Sequence, residues 1–149
     1  MSSMKIINRK ASFHYKILEK YEGGIVLGGG EVKSLKVGGA DISNSYAKIV
    51  NGEVYLINAN IPIEGKRDYN STRSRKILLH KSEIVSINTK IKAKKLTLIP
   101  LKMYNKGRLI KIELALAKPK REFEKRQAIK KKDLEREIER ELRGEKKIN

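Results

Sequence analysis

Over the first 117 residues apolar positions alternate with polar ones or come in short runs bounded by turn residues, the pattern of strands with one buried and one wet face. Tyr15 and Ile17 alternate with Lys16, predicting a strand over 13–27 in which Gly23-Gly24 marks a bulge or a close approach. Gly28-Gly29-Gly30 breaks it, and Glu31-Val32-Lys33-Ser34-Leu35 predicts a short helix closed by Gly38-Gly39. Residues 46–50 and 53–57 flank Asn51-Gly52, both of which tolerate positive φ, so a tight hairpin is expected. Pro62 ends its second strand, and residues 62–75 form a basic loop with Lys66, Arg67, Arg73 and Arg75. Lys76-Ile77-Leu78-Leu79 reads as a strand; Ile84, Ile87 and Ile91 form one stripe of a helix starting near Lys81-Ser82. Residues 96–101 and 110–116 are the last strands, joined around Asn105-Lys106-Gly107, with Pro100 marking an edge or a bulge. Lys111 and Glu113 then face outward, opposite Ile110, Ile112 and Leu114.

Short strands, tight turns and two helices predict a mainly β fold, a small antiparallel β-barrel with flanking helices. The pattern changes near Lys118-Pro119, dividing the chain into a β-barrel domain, residues 1–118, and a charged tail, residues 119–149. Residues 122–143 are helical by propensity, but Leu134, Ile138 and Leu142 make only one narrow ridge. Such a ridge buries too little to hold a helix alone, so the tail is expected to be disordered when free and helical on a partner.

Charge changes the picture more than length does. Thirty-five basic residues oppose seventeen acidic ones, a net +18; the stretch from Lys118 onward holds thirteen and eight of them, which leaves +13 on the body. A field of that sign attracts polyanions, so nucleic acid is the first expected partner. The absence of cysteine excludes disulfides and thiolate metal sites. No apolar run is long enough for a signal peptide or a membrane span, and a soluble cytoplasmic protein is expected, with no membrane partner.

Catalytic chemistry finds no support. His14 and His80 are the only histidines, and neither has a nucleophile or ligand at a recognisable spacing; a helix-start or strand histidine is the better reading. No catalytic residue, metal site or cofactor is expected. Gly23 and Gly28 have phosphate-loop spacing, but Gly29 stands where lysine is needed. Backbone freedom at a turn explains these glycines better. Arg73, Arg75 and Lys76 beside a strand are phosphate candidates, while Lys92, Lys94 and Lys95 read equally well as a solvated face. Phe123 lies among Arg121, Lys125 and Arg126, where a ring could stack on a base as the cations hold the backbone.

Taken in order, several segments resemble the small protein B (SmpB) family, the tmRNA-binding proteins of bacterial trans-translation. They are Asn8-Arg9-Lys10-Ala11, Gly30-Glu31-Val32-Lys33-Ser34-Leu35, Ser45-Tyr46-Ala47, Arg75-Lys76-Ile77-Leu78-Leu79-His80, Leu96-Thr97-Leu98-Ile99-Pro100-Leu101, Glu113-Leu114-Ala115-Leu116-Ala117-Lys118 and Lys125-Arg126. The resemblance runs from Asn8 to about Arg143. It implies an oligonucleotide-binding-like barrel and a non-enzymatic role. Such a protein holds the tRNA-like domain of tmRNA and brings it to stalled ribosomes, with elongation factor Tu joined indirectly through the aminoacylated tmRNA. The tail is implied to enter the empty message channel near the decoding centre, against 16S ribosomal RNA.

By the same resemblance, Asn8 and Glu22 match positions that contact tmRNA, and Lys33, Arg75 and Lys76 would add phosphate contacts. Arg9, Lys10, Lys118, Lys120 and Arg121 complete the expected RNA-binding set. In the tail, Phe123 would stack on a ribosomal base, and Lys125, Arg126, Lys130, Lys131 and Lys132 would hold ribosomal RNA. The chain departs from the family pattern at Ser12-Phe13-His14, which stands where Arg-His-Asp or Arg-His-Glu is usual, and at Pro119, which replaces a glycine and stiffens the exit from the barrel. A basic structural ribosomal or general RNA-binding protein is the alternative on charge alone, and an RNA-processing enzyme with an unconventional site is a third reading.

Overall fold

In the computed structural model, which describes residues 4–142, seven strands and four helices follow one another. The strands are β1 (Lys5–Ile7), β2 (Tyr15–Ile25), β3 (Tyr46–Val50), β4 (Glu53–Ile57), β5 (Arg75–Leu78), β6 (Thr97–Lys106) and β7 (Leu109–Pro119). The helices are α1 (Ala11–His14), α2 (Gly29–Lys36), α3 (Lys81–Lys94) and α4 (Glu122–Leu142). All strand pairs are antiparallel, in the order β1-β6-β3-β4-β5-β2-β7, and a further β6–β7 ladder closes the sheet into a ring, as the barrel expectation requires.

Local chemistry accounts for the turns. Asn51 and Gly52 both have positive φ, 51° and 76°, so β3 and β4 join through the predicted two-residue turn. The β6–β7 hairpin turns at Gly107, φ 63°. Gly38 and Gly39 donate their N–H groups to the carbonyls of Leu35 and Ser34 at 3.0 Å each and end α2. In α3 the stripe falls as expected: Ile87 is fully buried, with Ile84 and Ile91 packed on the same core. The Glu83 carboxylate accepts the His80 N–H at 3.3 Å at its start, so His80 is a helix-start residue.

The ring's interior is filled by Val54, Leu56, Ile77, Leu98, Met103, Ile112 and Leu114, capped by Leu35 of α2 and Ile87 of α3. Each such fully buried side chain contributes roughly 1.5–3 kcal/mol. A second, smaller cluster lies apart from this one: Ala11, Ile99, Ala115 and Ala117, with Tyr15, Ile17 and Leu101 against them. It explains why alternation fails from Leu114 to Ala117, where four successive residues are buried. The small side chains of Ala115 and Ala117 admit α1 closely on a second face of β7.

One boundary differs from expectation, and two local expectations are made specific. The strand expected over 13–27 starts at Tyr15, because α1 takes Ala11–His14. Its bulge lies between Ile17 and Glu19, while Gly23 is the close approach: a Cβ there would stand 2.9 Å from the Leu78 carbonyl oxygen. Pro100 does mark a bulge, between Pro100 and Lys102 against β7. Among the described residues no helix is long and apolar enough to cross a membrane.

The chain forms two compact units, residues 1–119 and 120–149. In the second, α4 carries Ile129, Leu134, Ile138 and Leu142 exposed along its length.

Candidate nucleic-acid interface

The loop between β4 and β5 is held by a buried ionic knot. Arg75 is fully buried and spends all five N–H donors inside the protein: Nε on Glu31 Oε2 (2.8 Å), Nη1 on the carbonyls of Ala59 and Arg73 (2.6 and 3.0 Å), Nη2 on the Tyr69 hydroxyl and the Ser71 carbonyl (2.7 and 2.8 Å). Glu31, 1% exposed, also accepts from Arg73 and from the Gly28 N–H at 2.9 Å. Tyr69 Oη stands 2.7 Å from both Glu31 Oε2 and the Ile61 carbonyl. Burial alone would push the Glu31 carboxyl up. Arg73, the Gly28 amide, Tyr69 and Arg75 together overcome it and hold the group at about 2.

This knot corrects one expectation. Arg75 was expected at RNA phosphate, but a guanidinium with no exposed atom and no spare donor cannot reach a phosphate; it fixes the loop instead. Its neighbour Lys76, pointing out of the same strand, is exposed and donates to Glu53 at 3.2 Å.

The exposed carboxylates of the sheet share one motif, a tyrosine hydroxyl and a lysine on the same acid. Glu19 is held by Tyr21 (2.5 Å) and Lys90 (2.7 Å), Glu53 by Tyr55 (2.5 Å) and Lys76 (3.2 Å), and Glu22 by Tyr104 and Lys106 (3.5 Å). Lys90 foremost lowers the Glu19 carboxyl, Tyr55 that of Glu53, and Tyr104 that of Glu22. Three acids that would oppose a polyanion are thus occupied. Cations such as Arg9, Lys10, Lys33 and Lys118 are exposed on the same body.

Glu19 borders a cleft of about 530 Å³ that it shares with Ser82, Ser86 and Lys90, and Glu22 borders another. That cleft, of about 420 Å³, runs between β2, β5 and β7 and is lined by Glu22, Gly24, Leu78, His80, Leu109 and Lys111. Lys111 lies opposite Gly24 in the β2–β7 ladder. Leu78 and Leu109 are 53% and 64% exposed, apolar surface beside a carboxylate and an ammonium. Such a site offers a base a flat apolar contact, an acceptor and a cation together. Leu78 and Lys111 were not among the expected RNA contacts, although Lys111 was expected to face outward. The signal was the alternation of β5, which puts Ile77 inside and so leaves a leucine outside.

Other expected residues gather around α1. Asn8 is buried: its N–H donates to the Leu101 carbonyl at 2.8 Å and its Nδ2 to the Pro100 carbonyl at 2.9 Å, so its side chain stitches β1 onto the β6 bulge. Only its Oδ1 is left unpartnered among the described residues, a buried acceptor. Arg9 and Lys10 follow at the surface, and Ala11 packs in one cluster with Ala117, next to Lys118. Lys118 and Lys16 are directly opposed cross-strand partners, a like-charge pair that an anion over it would relieve. Lys33 lies on the exposed side of α2.

Within the second unit, Arg121, Arg126, Lys130, Lys131 and Lys132 are exposed, whereas Lys120 and Lys125 are half-buried. The Phe123 side chain lies outside the described residues. Among the described residues, no group of three or more His, Asp or Glu side chains stands where it could hold a metal ion.

Comparison with known proteins bears on this arrangement. A family model described as SmpB protein matches residues 5–144. The SsrA-binding protein of Sulfurihydrogenibium sp. is 47% identical over 152 residues, covering 99% of this chain and 100% of the relative. That of Carboxydothermus hydrogenoformans is 50% identical over 140 residues, covering 92% of this chain and 94% of the relative. Among solved structures, a chain from "tmRNA-SmpB: a journey to the center of the bacterial ribosome" superposes with a TM-score of 0.66 at 42% identity, covering 84% of this chain and 94% of that one.

Proposed function

This chain belongs to the SmpB protein family, and on that premise we propose that it binds the tRNA-like domain of tmRNA and delivers it to stalled ribosomes for trans-translation. The observation that carries the reading is the placement of Glu22. It is a carboxylate on a strongly cationic body, set at the rim of a cleft with Lys111 and exposed Leu78. An acid facing a polyanion is useful where it accepts from a base or a ribose hydroxyl, and so reads rather than merely attracts. Lys76, Lys33, Arg9, Lys10 and Lys118 position the phosphate backbone around it, which supplies affinity without sequence information. Asn8 holds the segment that presents Arg9 and Lys10.

The protein works in the cytoplasm as an adaptor and not as an enzyme. Elongation factor Tu joins through the aminoacylated tmRNA. The 119–149 arm, with Lys120, Arg121, Lys125, Arg126 and Lys130 to Lys132, enters the vacant message channel near the decoding centre, where Phe123 stacks on a 16S ribosomal RNA base. The arm is unfolded when free and takes the α4 form there, because one apolar ridge cannot sustain a helix in water.

Two acids in the same chemical setting give the test. Glu22→Ala weakens tmRNA binding by about tenfold or more, the cost of a lost hydrogen bond to a charged acceptor, whereas Glu53→Ala, equally exposed and likewise held by a tyrosine and a lysine, leaves it within about twofold. Equal losses from both would remove Glu22 from the interface.

A further inference from the structure

We propose that Tyr104 is the positioning residue that sets the Glu22 carboxylate for RNA. The proposal rests on the reading of Glu22 as an RNA contact and adds a residue that the sequence did not suggest. Glu22 lies on β2 and Tyr104 on β6, with β7 between them, so the phenol reaches across a strand to donate to Glu22 Oε2.

An exposed glutamate samples several rotamers, and freezing one costs side-chain conformational entropy. Here a second force works against the productive rotamer. Glu22 is the direct cross-strand partner of Glu113, and two carboxylates so opposed repel. Lys102 answers Glu113 at 3.7 Å, and its Nζ lies 5.4 Å from the centroid of the Tyr104 ring. One lysine therefore quiets the opposing acid and steadies the ring. Lys106, the other partner of Glu22, is 68% exposed and 3.5 Å away, too loose to fix an orientation.

A phenol suits the task better than a second cation. It engages one carboxylate oxygen, leaves the charge in place and leaves Oε1 to the loose Lys106 contact, which a nucleotide donor can displace. Burial, and then the bond to Glu22, holds the Tyr104 hydroxyl up at about 12, so it remains a donor throughout the physiological range. The same pairing on Glu19 and Glu53 lies away from this cleft, which makes Tyr55 an internal control.

The test is a double-mutant cycle on tmRNA binding by the full chain. Tyr104→Phe deletes one oxygen and keeps the ring under Lys102. It is expected to weaken binding about fivefold, the worth of one such hydrogen bond, and to have no further effect in a Glu22→Ala background. Tyr55→Phe should change nothing in either background. In the free protein, the Glu22 carboxyl carbon, followed by NMR titration, should titrate at higher pH in Tyr104→Phe, with the unfolding midpoint unchanged; a purely structural tyrosine would move the midpoint instead. If Glu22→Ala weakens binding and Tyr104→Phe does not, or if Tyr104→Phe weakens it equally in both backgrounds, the positioning role is overturned while the Glu22 contact stands. If Glu22→Ala itself has no effect, the contact and the positioning role fall together.

Discussion

Arg75 donates through Nε to Oε2 of Glu31 at 2.8 Å, bridging forty-four residues of sequence with both side chains shut from solvent. The two residues come from separate segments, the first turn of α2 and the start of β5, and their union pins the loop between β4 and β5 through Tyr69 and Ser71. Removing Arg75 leaves the buried Glu31 with Arg73, whose side chain is 40% exposed, as its remaining counter-charge, and takes away the donors that pin the loop. Arg75→Met is therefore expected to cost about 3–5 kcal/mol of folding stability, measured by urea unfolding. A loss below about 1 kcal/mol would show that water reaches the site.

The Glu31 carboxylate, held down against burial by Arg73 foremost and by the Gly28 amide, Tyr69 and Arg75, sets an acid limit. The Glu31 carboxyl sits at about 2 in the folded chain against an ordinary 4.5, so protons bind the unfolded chain more readily. The stabilisation is complete above about pH 4.5 and is lost as the pH falls towards about 2; it amounts to something on the order of 3 kcal/mol. Unfolding free energies of the native chain and of Glu31→Gln, compared at steps through this window, should converge as the pH falls. Parallel curves would contradict the assignment.

Much of this fold was legible because its signals are local. Asn51-Gly52 can turn only a few ways, Ile84, Ile87 and Ile91 can share only one helix face, and Pro100 cannot complete a ladder. The site was legible only in part, because it is assembled by register. That Glu22 opposes Glu113, and that Tyr104 reaches Glu22 over β7, follows from which residues pair across three strands. Nothing in the run around Tyr104 announces it. Arg75 failed for a related reason: basic composition marks cations without telling a buried one from a solvated one, and the partner that buries it lies in another segment. Asn8 shows the intermediate case, a polar side chain whose amide does the work of backbone at a bulge.

Gly23 and Gly24 are adjacent in sequence and unequal in space. A Cβ at Gly23 would press on the backbone oxygen of Leu78 at 2.9 Å and on Leu79 and Ile77 at 3.0 and 3.1 Å, where β2 turns from β7 to β5. At Gly24 the nearest atoms are Leu78 side-chain carbons at 3.7 and 3.8 Å, ordinary contact. Gly23→Ala should lower stability by about 1–3 kcal/mol and Gly24→Ala by clearly less, read from thermal melts. The reverse order would contradict the packing.

The arm gives a separate expectation. A chain ending at Pro119 should melt as the full chain does, because the ring has its own core. The difference between their circular dichroism spectra should be coil-like in the free protein, since Leu134 and Leu142, 58% and 83% exposed, leave the ridge unpaired. A strong helical difference spectrum would show that α4 stands without a partner.

The central claim is that a cationic ring recognises one folded RNA. Its most direct measurement is equilibrium binding of the purified full chain to tmRNA, titrated with salt in the presence of excess unrelated RNA. With roughly four to six phosphate contacts, log K should fall against log salt with a slope of about −3 to −5, and tmRNA should remain bound while the competitor is displaced. Equal exchange with any polyanion offered, at every salt concentration, would contradict it.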